Sequence, residues 1–445
     1  MTTITIVGLG PGDPGLLTKA AWDLLHAAEE LYVRTEQHPT LAALPSELAI
    51  HSFDAIYSGA DDFASIYQQI AAEIIRLGSR PQGVIYAVPG DPAVGETTTW
   101  LIRELAAARG LAVRVLSGVS FVEPACLALG IDPLARDGLQ VVDAMVAAAG
   151  HAPPFDTSRP ALLAQCYSRA LASDVKLILL PSYGEQHLVT VLAAAGTAQQ
   201  HMRTLPLFEL DRGVDFDHLT TLYVPPAGPY AAFSRLQEIV AHLRAPEGCP
   251  WDREQSLQTL RKDLLEELYE LLEALDREDD AQIGEELGDA TLTLAMLAQV
   301  AAEEERFRWP QVMEQVCQKL IRRHPHVFGD VAVSSVEEVL ANWAAIKEAE
   351  AGGALPGAGG ALPGAGGKPV SVLESVPRAL PALSLASKYQ SRLARAGVEV
   401  DLGDADPIGL TLWELVAEAR AAEVDAETAL REICQLVALQ AVARS

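Results

Sequence analysis

The change of sequence pattern at Pro225-Pro226 is the feature that most constrains the fold of this 445-residue chain. Before it, short β-rich runs alternate with Ala- and Leu-rich helical stretches, and this alternation predicts an α/β domain over residues 1–226. The predicted strands include residues 4–7, 84–88, 113–116 and 176–180. Several of these runs end in glycine or proline loops, where α/β folds bind their ligands.

After about residue 230 the pattern becomes helical, with long acidic segments, and predicts an all-α domain over residues 230–350. Residues 351–367 repeat the sequence Ala-Gly-Gly-Ala-Leu-Pro-Gly, a composition that cannot pack a core and indicates a linker. Residues 370–445 again have a helical pattern. The predicted fold class is therefore multidomain: an α/β domain, an all-α helical bundle and a helical C-terminal region.

The net charge excludes several classes of partner, and the cysteine spacing disfavours disulfide and zinc sites. The chain has 60 acidic and 33 basic residues, a formal charge of -27 that repels nucleic-acid polymers and acidic membrane surfaces. A triphosphate that carries its own magnesium is still compatible with it. The five cysteines are far apart, which favours neither disulfides nor a zinc site. Residues 1–7 lack a basic and then apolar leader pattern and no 18-residue apolar run follows, so we expect neither a leader nor a membrane span. We expect a cytoplasmic protein.

Carboxylates one helical turn apart occur on two successive predicted helices. On the first, over about residues 256–277, the three- and four-residue spacing gathers acids on one face and leucines on another. The acids are Asp263, Glu266, Glu267, Glu270 and Glu273. We expect the leucine face to dock, which leaves the row of mutually repelling carboxylates unexplained.

The second helix is predicted from about residue 281 and carries Glu286 and Asp289 just before an apolar stretch, residues 290–302. An apolar helix of this kind is buried in a bundle, so both carboxylates should be drawn inward, at a cost unless a cation accompanies them. Carboxylates from two helices can build a magnesium site. A solvated acidic face is the alternative, and it explains one such helix better than two.

The motif Glu266-Glu267-Leu-Tyr-Glu270 followed by Glu286-Leu-Gly-Asp289 resembles the EExxE…ExxD pattern of the MazG nucleotide pyrophosphohydrolases. Residues 249–256, residues 319–328 and Asn342-Trp343 extend the resemblance. It implies a helical domain that assembles as a homo-oligomer and, with Mg²⁺, hydrolyses nucleoside triphosphates to the monophosphate and pyrophosphate.

The same resemblance implies roles for individual residues. The metal ligands would be Glu267, Glu270, Glu286 and Asp289. Glu266 would be a further ligand or would orient the attacking water. Lys319 and Arg323, one turn apart, suit a clamp on phosphate oxygens, with Arg322 as the competing candidate. Trp251 could stack on a base, but packing at the helix start is the favoured interpretation.

The chain begins with a predicted strand that runs into Gly8-Leu-Gly10-Pro11-Gly12-Asp13-Pro14, a tight loop that lets a ligand approach the backbone. Asp13 stands where a dinucleotide-binding fingerprint requires glycine, which excludes that fingerprint. The segment instead resembles the opening of the tetrapyrrole methylase family, which transfers methyl groups from S-adenosylmethionine. A simple strand-to-helix turn is the structural alternative.

Two later loops agree with the methylase family, Gly90-Asp91-Pro92 after a predicted strand and Gly118-Val-Ser120-Phe121. The resemblance implies an S-adenosylmethionine pocket and a methyl acceptor, but the fold does not identify the acceptor. The pocket residues would be Gly10, Gly12, Gly90, Asp91 and Ser120. Residues 32–35 and 210–220 extend the resemblance to YabN-type fusions of a methylase-like domain with a MazG domain.

Residues 371–383 resemble the start of a second MazG repeat, but no EExxE or ExxD pair follows them. We expect a degenerate repeat that packs, for example at a subunit interface, without hydrolysing nucleotides. The leading hypothesis is thus a pyrophosphohydrolase fused to a domain that binds S-adenosylmethionine. The alternatives are a working methyltransferase with an accessory helical domain, and a non-catalytic regulator that senses metabolites at both sites.

Overall fold

The computed structural model describes residues 4–57, 63–135, 137–351, 372–374, 376–403 and 405–442. The predicted linker, residues 351–367, lies outside them apart from its first residue. The chain divides into two compact units, Met1–Val300 and Ala301–Ser445. No helix in the described ranges has both the length and the apolar character that a membrane span needs.

The first unit opens with a parallel five-stranded sheet in the order β3-β2-β4-β1-β5. Strand β1, which lies between β4 and β5, is almost entirely buried, and apolar clusters cover both faces of the sheet, one built around Ile70 and Ile74 and the other around Leu25 and Leu31. The strands are β1 (Ile4–Gly8), β2 (Glu30–Val33), β3 (Ala49–Ser52), β4 (Val84–Val88) and β5 (Val113–Leu116). The helices are α1 (Lys19–Ala27), α2 (Asp54–Tyr57), α3 (Phe63–Gly78), α4 (Thr97–Ala108) and α5 (Val122–Leu129).

A second, mixed sheet follows in the order β6-β7-β10-β8-β9, in which only the β6 and β7 pair is parallel. Helix α7 packs on it through an apolar cluster that includes Leu171, Val175 and Leu179. The strands are β6 (Gln140–Asp143), β7 (Ala161–Ala164), β8 (Leu188–Ala193), β9 (His201–Pro206) and β10 (Thr220–Val224), and the helices are α6 (Ala144–Ala148) and α7 (Arg169–Tyr183).

The strands predicted at residues 4–7, 84–88 and 113–116 are confirmed, whereas the strand predicted at 176–180 is wrong because that run lies inside α7. Ser168 caps this helix by accepting a hydrogen bond from the Leu171 N–H at 3.2 Å. The residues that face the sheet, Leu171, Val175 and Leu179, recur at four-residue intervals, as the buried stripe of an amphipathic helix does. Leu177 of the predicted strand is exposed instead.

The rest of the first unit is helical: α8 (Phe233–Arg244), α9 (Pro250–Glu254), α10 (Leu260–Asp276) and α11 (Asp280–Glu303). Leu260 at the start of α10 and Val240 of α8 pack with Met296 and Val300 near the end of α11. Helix α8 also bonds to the α/β domain, where Arg235 Nη2 lies 2.6 Å from Asp137 Oδ1. Two helices are therefore present where the acidic motifs predict them.

The second unit contains α12 (Trp309–Arg323), α13 (Pro325–Phe328), α14 (Val336–Ala351), α15 (Ala382–Ala396), α16 (Pro407–Ala421) and α17 (Ala426–Val442). Gln390 of α15 is buried and donates a hydrogen bond to the Trp413 carbonyl of α16 at 2.7 Å. The predicted fold class, an α/β domain followed by helical regions, is confirmed.

Candidate functional sites

Two glycine loops meet at the carboxyl ends of β1 and β4. The Gly10 N–H donates to the Gly90 carbonyl at 3.2 Å, and the Gly90 N–H donates to the Gly10 carbonyl at 2.8 Å. Both residues have positive φ, 71° and 66°, which favours glycine. At Gly8 a Cβ atom would lie 2.4 Å from the Gly90 carbonyl oxygen, so the loops can approach this closely only without a side chain.

A cavity of about 590 Å³ opens beside these loops, and Gly10, Gly90 and Asp91 line it. Asp91 holds the wall together by accepting the Gly118 N–H at 2.9 Å. Two of the five residues predicted for the methyl-donor pocket, Gly12 and Ser120, are not among those that line the cavity. Ser120 is buried, and its hydroxyl donates to Glu123 at 2.6 Å.

Arg34 and Glu96 form an ion pair in the cavity wall, with Nη1 2.6 Å from Oε2 and the Glu96 side chain 1% exposed. Arg34 Nε also donates to the Tyr57 hydroxyl at 2.9 Å. Burial is the largest single influence on Arg34 and opposes its charge, but Glu96, Tyr57 and Tyr67 together outweigh it and raise the pKa of the guanidinium. In the sequence, Arg34 stands out only as part of the segment 32–35 that carries the family resemblance, and Glu96 was not predicted. An acidic residue directly before a helix that starts at Thr97 could have indicated Glu96 as a helix cap.

His38 is a second buried polar group of the cavity, with 5% of its surface exposed. Its Nε2 lies 3.0 Å from the Gly10 carbonyl oxygen, which can only accept, so Nε2 carries the hydrogen. Burial lowers the pKa of His38 to about 4, and the ring is neutral at pH 7. Nδ1 is consequently an acceptor, and no described residue donates to it. It is available to an N–H or O–H group of a ligand.

The acidic helices bring three carboxylates together. Glu267, Glu270 and Glu286 can each offer an oxygen such that all three lie within 4.8 Å of one another. Partial burial and then repulsion by neighbouring acids, Asp289 first, raise the pKa of Glu267. The same two causes raise the pKa of Glu286. An all-oxygen set of mutually repelling carboxylates fits a hard divalent cation such as Mg²⁺.

Glu266 lies outside this group of three and pairs with Lys262, with Nζ 3.6 Å from Oε2. The expectation that Glu286 and Asp289 are buried is wrong: Glu286 is half-buried and Asp289 is exposed. The leucine face of α10 is not covered either, with Leu272 45% and Leu275 49% exposed. Both expectations failed because helical periodicity shows which side chains share a face but not whether another element covers that face.

The predicted phosphate-binding residues lie on α12 in the second unit. Arg322 and Arg323 both bond to Glu350 of α14, each with an Nη2 atom 2.6 Å from a carboxylate oxygen. The Arg323 guanidinium also lies 5.6 Å from the centre of the Trp343 ring, and Lys347 Nζ lies 6.0 Å from it. Sequence reasoning missed Glu350 and Lys347. Lys319, one turn before Arg323, is exposed.

Trp251, at the start of α9, is 64% exposed. The interpretation that it packs at the helix start is therefore wrong for the single chain.

Comparison with known proteins agrees with both halves of this arrangement. The family model Tetrapyrrole (Corrin/Porphyrin) Methylases matches residues 3–211, and the MazG nucleotide pyrophosphohydrolase domain model matches residues 255–328. YabN of Bacillus subtilis (strain 168) is 40% identical over 392 residues, which cover 87% of this chain and 76% of that protein. The chain belongs to the YabN family. In this chain the methylase match precedes the MazG match.

Two further relatives match the helical part of this YabN family member. The nucleoside triphosphate pyrophosphohydrolase of Escherichia coli (strain K12) is 40% identical over 43% of this chain and 69% of that protein. A Thermotoga maritima protein, named nucleoside triphosphate pyrophosphohydrolase/pyrophosphatase MazG, is 35% identical over 45% of this chain and 80% of its own length.

A solved uroporphyrin-III-C-methyltransferase from Thermus thermophilus has 21% identity and a TM-score of 0.40, covering 51% of this chain and 96% of that one. The assignment of the first domain rests on the family model and not on this superposition.

Proposed function

We propose that the MazG domain hydrolyses nucleoside triphosphates to the monophosphate and pyrophosphate in a magnesium-dependent reaction. The observation that carries the proposal is the convergence of Glu267, Glu270 and Glu286 from two helices to within 4.8 Å. The names of the Escherichia coli and Thermotoga maritima relatives support the substrate class.

Four carboxylates would hold the cation: Glu267, Glu270, Glu286 and Asp289. Bound magnesium supplies charge neutralisation on the triphosphate and a lower pKa for the attacking water. Glu266 has an exposed carboxylate paired only with a flexible lysine, so it can turn to orient that water. Lys319 and Arg323 would bind phosphate oxygens, a role that the resemblance to the MazG family implies for them.

The experiment is a pyrophosphate-release screen over common, deaminated and oxidised triphosphates, with and without magnesium. Glu267→Gln should lose activity on every substrate that the wild-type protein cleaves. Glu273→Gln is the matched control, because Glu273 lies on the same helix and is paired with Arg277 away from the carboxylate group. Absence of release from every triphosphate, or equal rates in Glu267→Gln and wild type, would refute the proposal.

We also propose that the cavity of the first domain binds S-adenosylmethionine and serves methyl transfer. The support is the approach of the Gly10 and Gly90 loops at the strand ends, together with the unpartnered Nδ1 of His38. Calorimetric titration with S-adenosylmethionine tests it. Gly90→Ala should weaken binding, whereas Gly110→Ala has the same φ of 66° with nothing within 4 Å and should not. Absence of heat from folded protein would contradict the proposal.

We also propose that the chain forms a homo-oligomer through the helical domain. Leucines on α10 and α11 leave an apolar surface uncovered in the single chain, which a second copy would bury. They are Leu265, Leu268, Leu272, Leu275, Leu292 and Leu294, each at least 37% exposed. Sedimentation should show an oligomer, and Leu268→Glu with Leu272→Glu should shift it to monomers. The domain limits that we propose are residues 1–226, 230–350 and 370–445.

A further inference from the structure

A second cavity, of about 280 Å³, adjoins the first in the α/β domain. The two cavities share four lining residues: Tyr67, Gly95, Glu96 and Gln165. Beyond this boundary the smaller cavity is lined by Trp100, Asp143 and Met145, among others. A molecule bound there would lie beside a methyl donor in the larger cavity.

Two acids are the charged residues among the described lining of the smaller cavity. Arg34 offsets the charge of Glu96, so Asp143 gives the lining its net negative charge. The positive end of α4 is already occupied by Glu96, which accepts the Thr98 N–H at 3.2 Å. Asp143 accepts the Met145 N–H at 2.8 Å in the same way. Arg34 is committed to Glu96, and the Arg103 guanidinium stacks on Trp100 without lining the cavity. An anionic ligand would meet like charge here.

The other lining groups suit a flat ring. Trp100 is 50% exposed and Tyr67 lies across the shared boundary, so both can contact the face or edge of an aromatic ligand. Gln165 has a φ of 60°, which is unusual for a residue other than glycine. Its side-chain amide forms no hydrogen bond with a described residue. That amide offers one acceptor and two N–H donors, which match ring nitrogens and amino groups.

We propose that the smaller cavity is a subsite for the methyl acceptor, and that this acceptor is a flat nitrogen heterocycle, neutral or cationic. The acceptor is not a macrocycle with many carboxylates, for which the cavity has the wrong charge. The role of this ligand as a methyl acceptor depends on the proposed binding of S-adenosylmethionine, whereas the existence of the subsite depends only on the cavity and its lining residues.

Three probes with the same ring separate the charge states: nicotinamide (neutral), 1-methylnicotinamide (cationic) and nicotinate (anionic). The full chain is titrated with each by calorimetry, with and without saturating S-adenosylhomocysteine, and also with the octacarboxylate uroporphyrin III. We expect the cation to bind at least as well as nicotinamide, nicotinate about tenfold more weakly than nicotinamide, and uroporphyrin III not to compete.

Two variants locate the binding. Trp100→Ala should weaken both favourable probes about tenfold, the effect of losing a stacking partner. Asp143→Asn keeps the helix cap and should weaken the cation about fivefold more than nicotinamide. The controls are Trp22→Ala, another partly exposed tryptophan of the same domain, and Asp132→Asn, which caps a turn outside both cavities.

The inference is overturned if nicotinate or uroporphyrin III binds more tightly than nicotinamide, if no ring probe binds at millimolar concentration, or if Trp100→Ala and Trp22→Ala behave alike. Failure of S-adenosylhomocysteine to bind would remove the proposed donor function instead. In that case the titrations without it still decide whether the subsite exists.

Discussion

The carboxylates of the two sites are neutralised in different ways. In the α/β cavity each acid is bonded to donors of its own chain: Glu96 to Arg34, Asp91 to the Gly118 N–H, Asp54 to the Glu36 N–H and Asp217 to the Leu219 N–H. On α10 and α11 the acids face one another instead, and repulsion contributes to the raised pKa of Glu267. Folding brings a hydrogen-bond or ion-pair donor to each acid of the first site, whereas the proposed cation would neutralise the acids of the second.

The apolar side chains around the first site are also more deeply buried than those around the helical site. The sheet that supports the glycine loops is buried on both faces, with Ile6 and Val7 fully inaccessible. The carboxylates of the helical site are half-buried or exposed, and the leucines beside them remain on the surface. A site with rigid walls can select a ligand by shape, whereas the helical site is open to solvent beside its exposed leucines in the single chain.

The largest effect should come from separating the two activities. Glu270→Gln is expected to reduce pyrophosphate release on the order of a thousandfold, because the ligand group loses one of its charges. The heat of S-adenosylmethionine binding should be unchanged in this variant. Gly90→Ala should show the reverse pattern. Parallel losses in both assays would mean that the two sites are coupled and that the contrast between them fails.

Arg34→Met should destabilise the first domain by about 3 kcal/mol, because Glu96 is left buried without its counter-charge. Hydrogen exchange of the β1 and β4 amides reports the change. The double variant Arg34→Met with Glu96→Gln should recover most of the loss, since no isolated charge then remains. If Arg34→Met alone is as stable as wild type, the buried Glu96 needs no counter-charge.

His38 should make the first domain sensitive to mild acid. Its pKa is lowered to about 4 in the folded state, whereas the unfolded chain has an ordinary histidine pKa. The unfolded state therefore binds more protons as pH falls below about 6.5, and stability decreases by roughly 2 kcal/mol by about pH 5. Urea unfolding across this range should show a flatter profile for His38→Gln. His151→Gln, at an exposed position, should behave like wild type.

The smallest expected effect is a change in the melting temperature of the protein without metal at the helical site. Because the pKa of Glu267 is raised, folding is penalised as pH rises through that pKa, and the penalty persists at neutral pH. With a chelator at pH 7, Glu267→Gln should raise the melting temperature by about 1–2 °C, and the gain should vanish near pH 4. Magnesium should stabilise only the wild-type protein. A lower melting temperature for the variant would contradict the proposed repulsion.

The fold class could be predicted from the sequence because it depends on local periodicity. The same periodicity placed Glu267, Glu270 and Glu286 on two facing helices, whereas their role as metal ligands stays a prediction. One-turn spacing sets which carboxylates share a helix face, and strand length sets where β1 and β4 end. The strand predicted at residues 176–180 failed because an apolar run of that length is equally compatible with the buried stripe of a helix. The exposure of Glu286 and Asp289 depends on which chains surround the helix, which periodicity does not encode.

The sequence by itself determined the order of the domains, the two glycine loops and the one-turn spacing of the carboxylates, since each is a property of a short segment. Only the tertiary structure decided that Arg34 reaches Glu96, 62 positions later, and that Trp100 and Asp143 border one cavity. It also decided that Arg323 bonds to Glu350. Such pairings join segments far apart in the chain, and packing of the whole domain selects them.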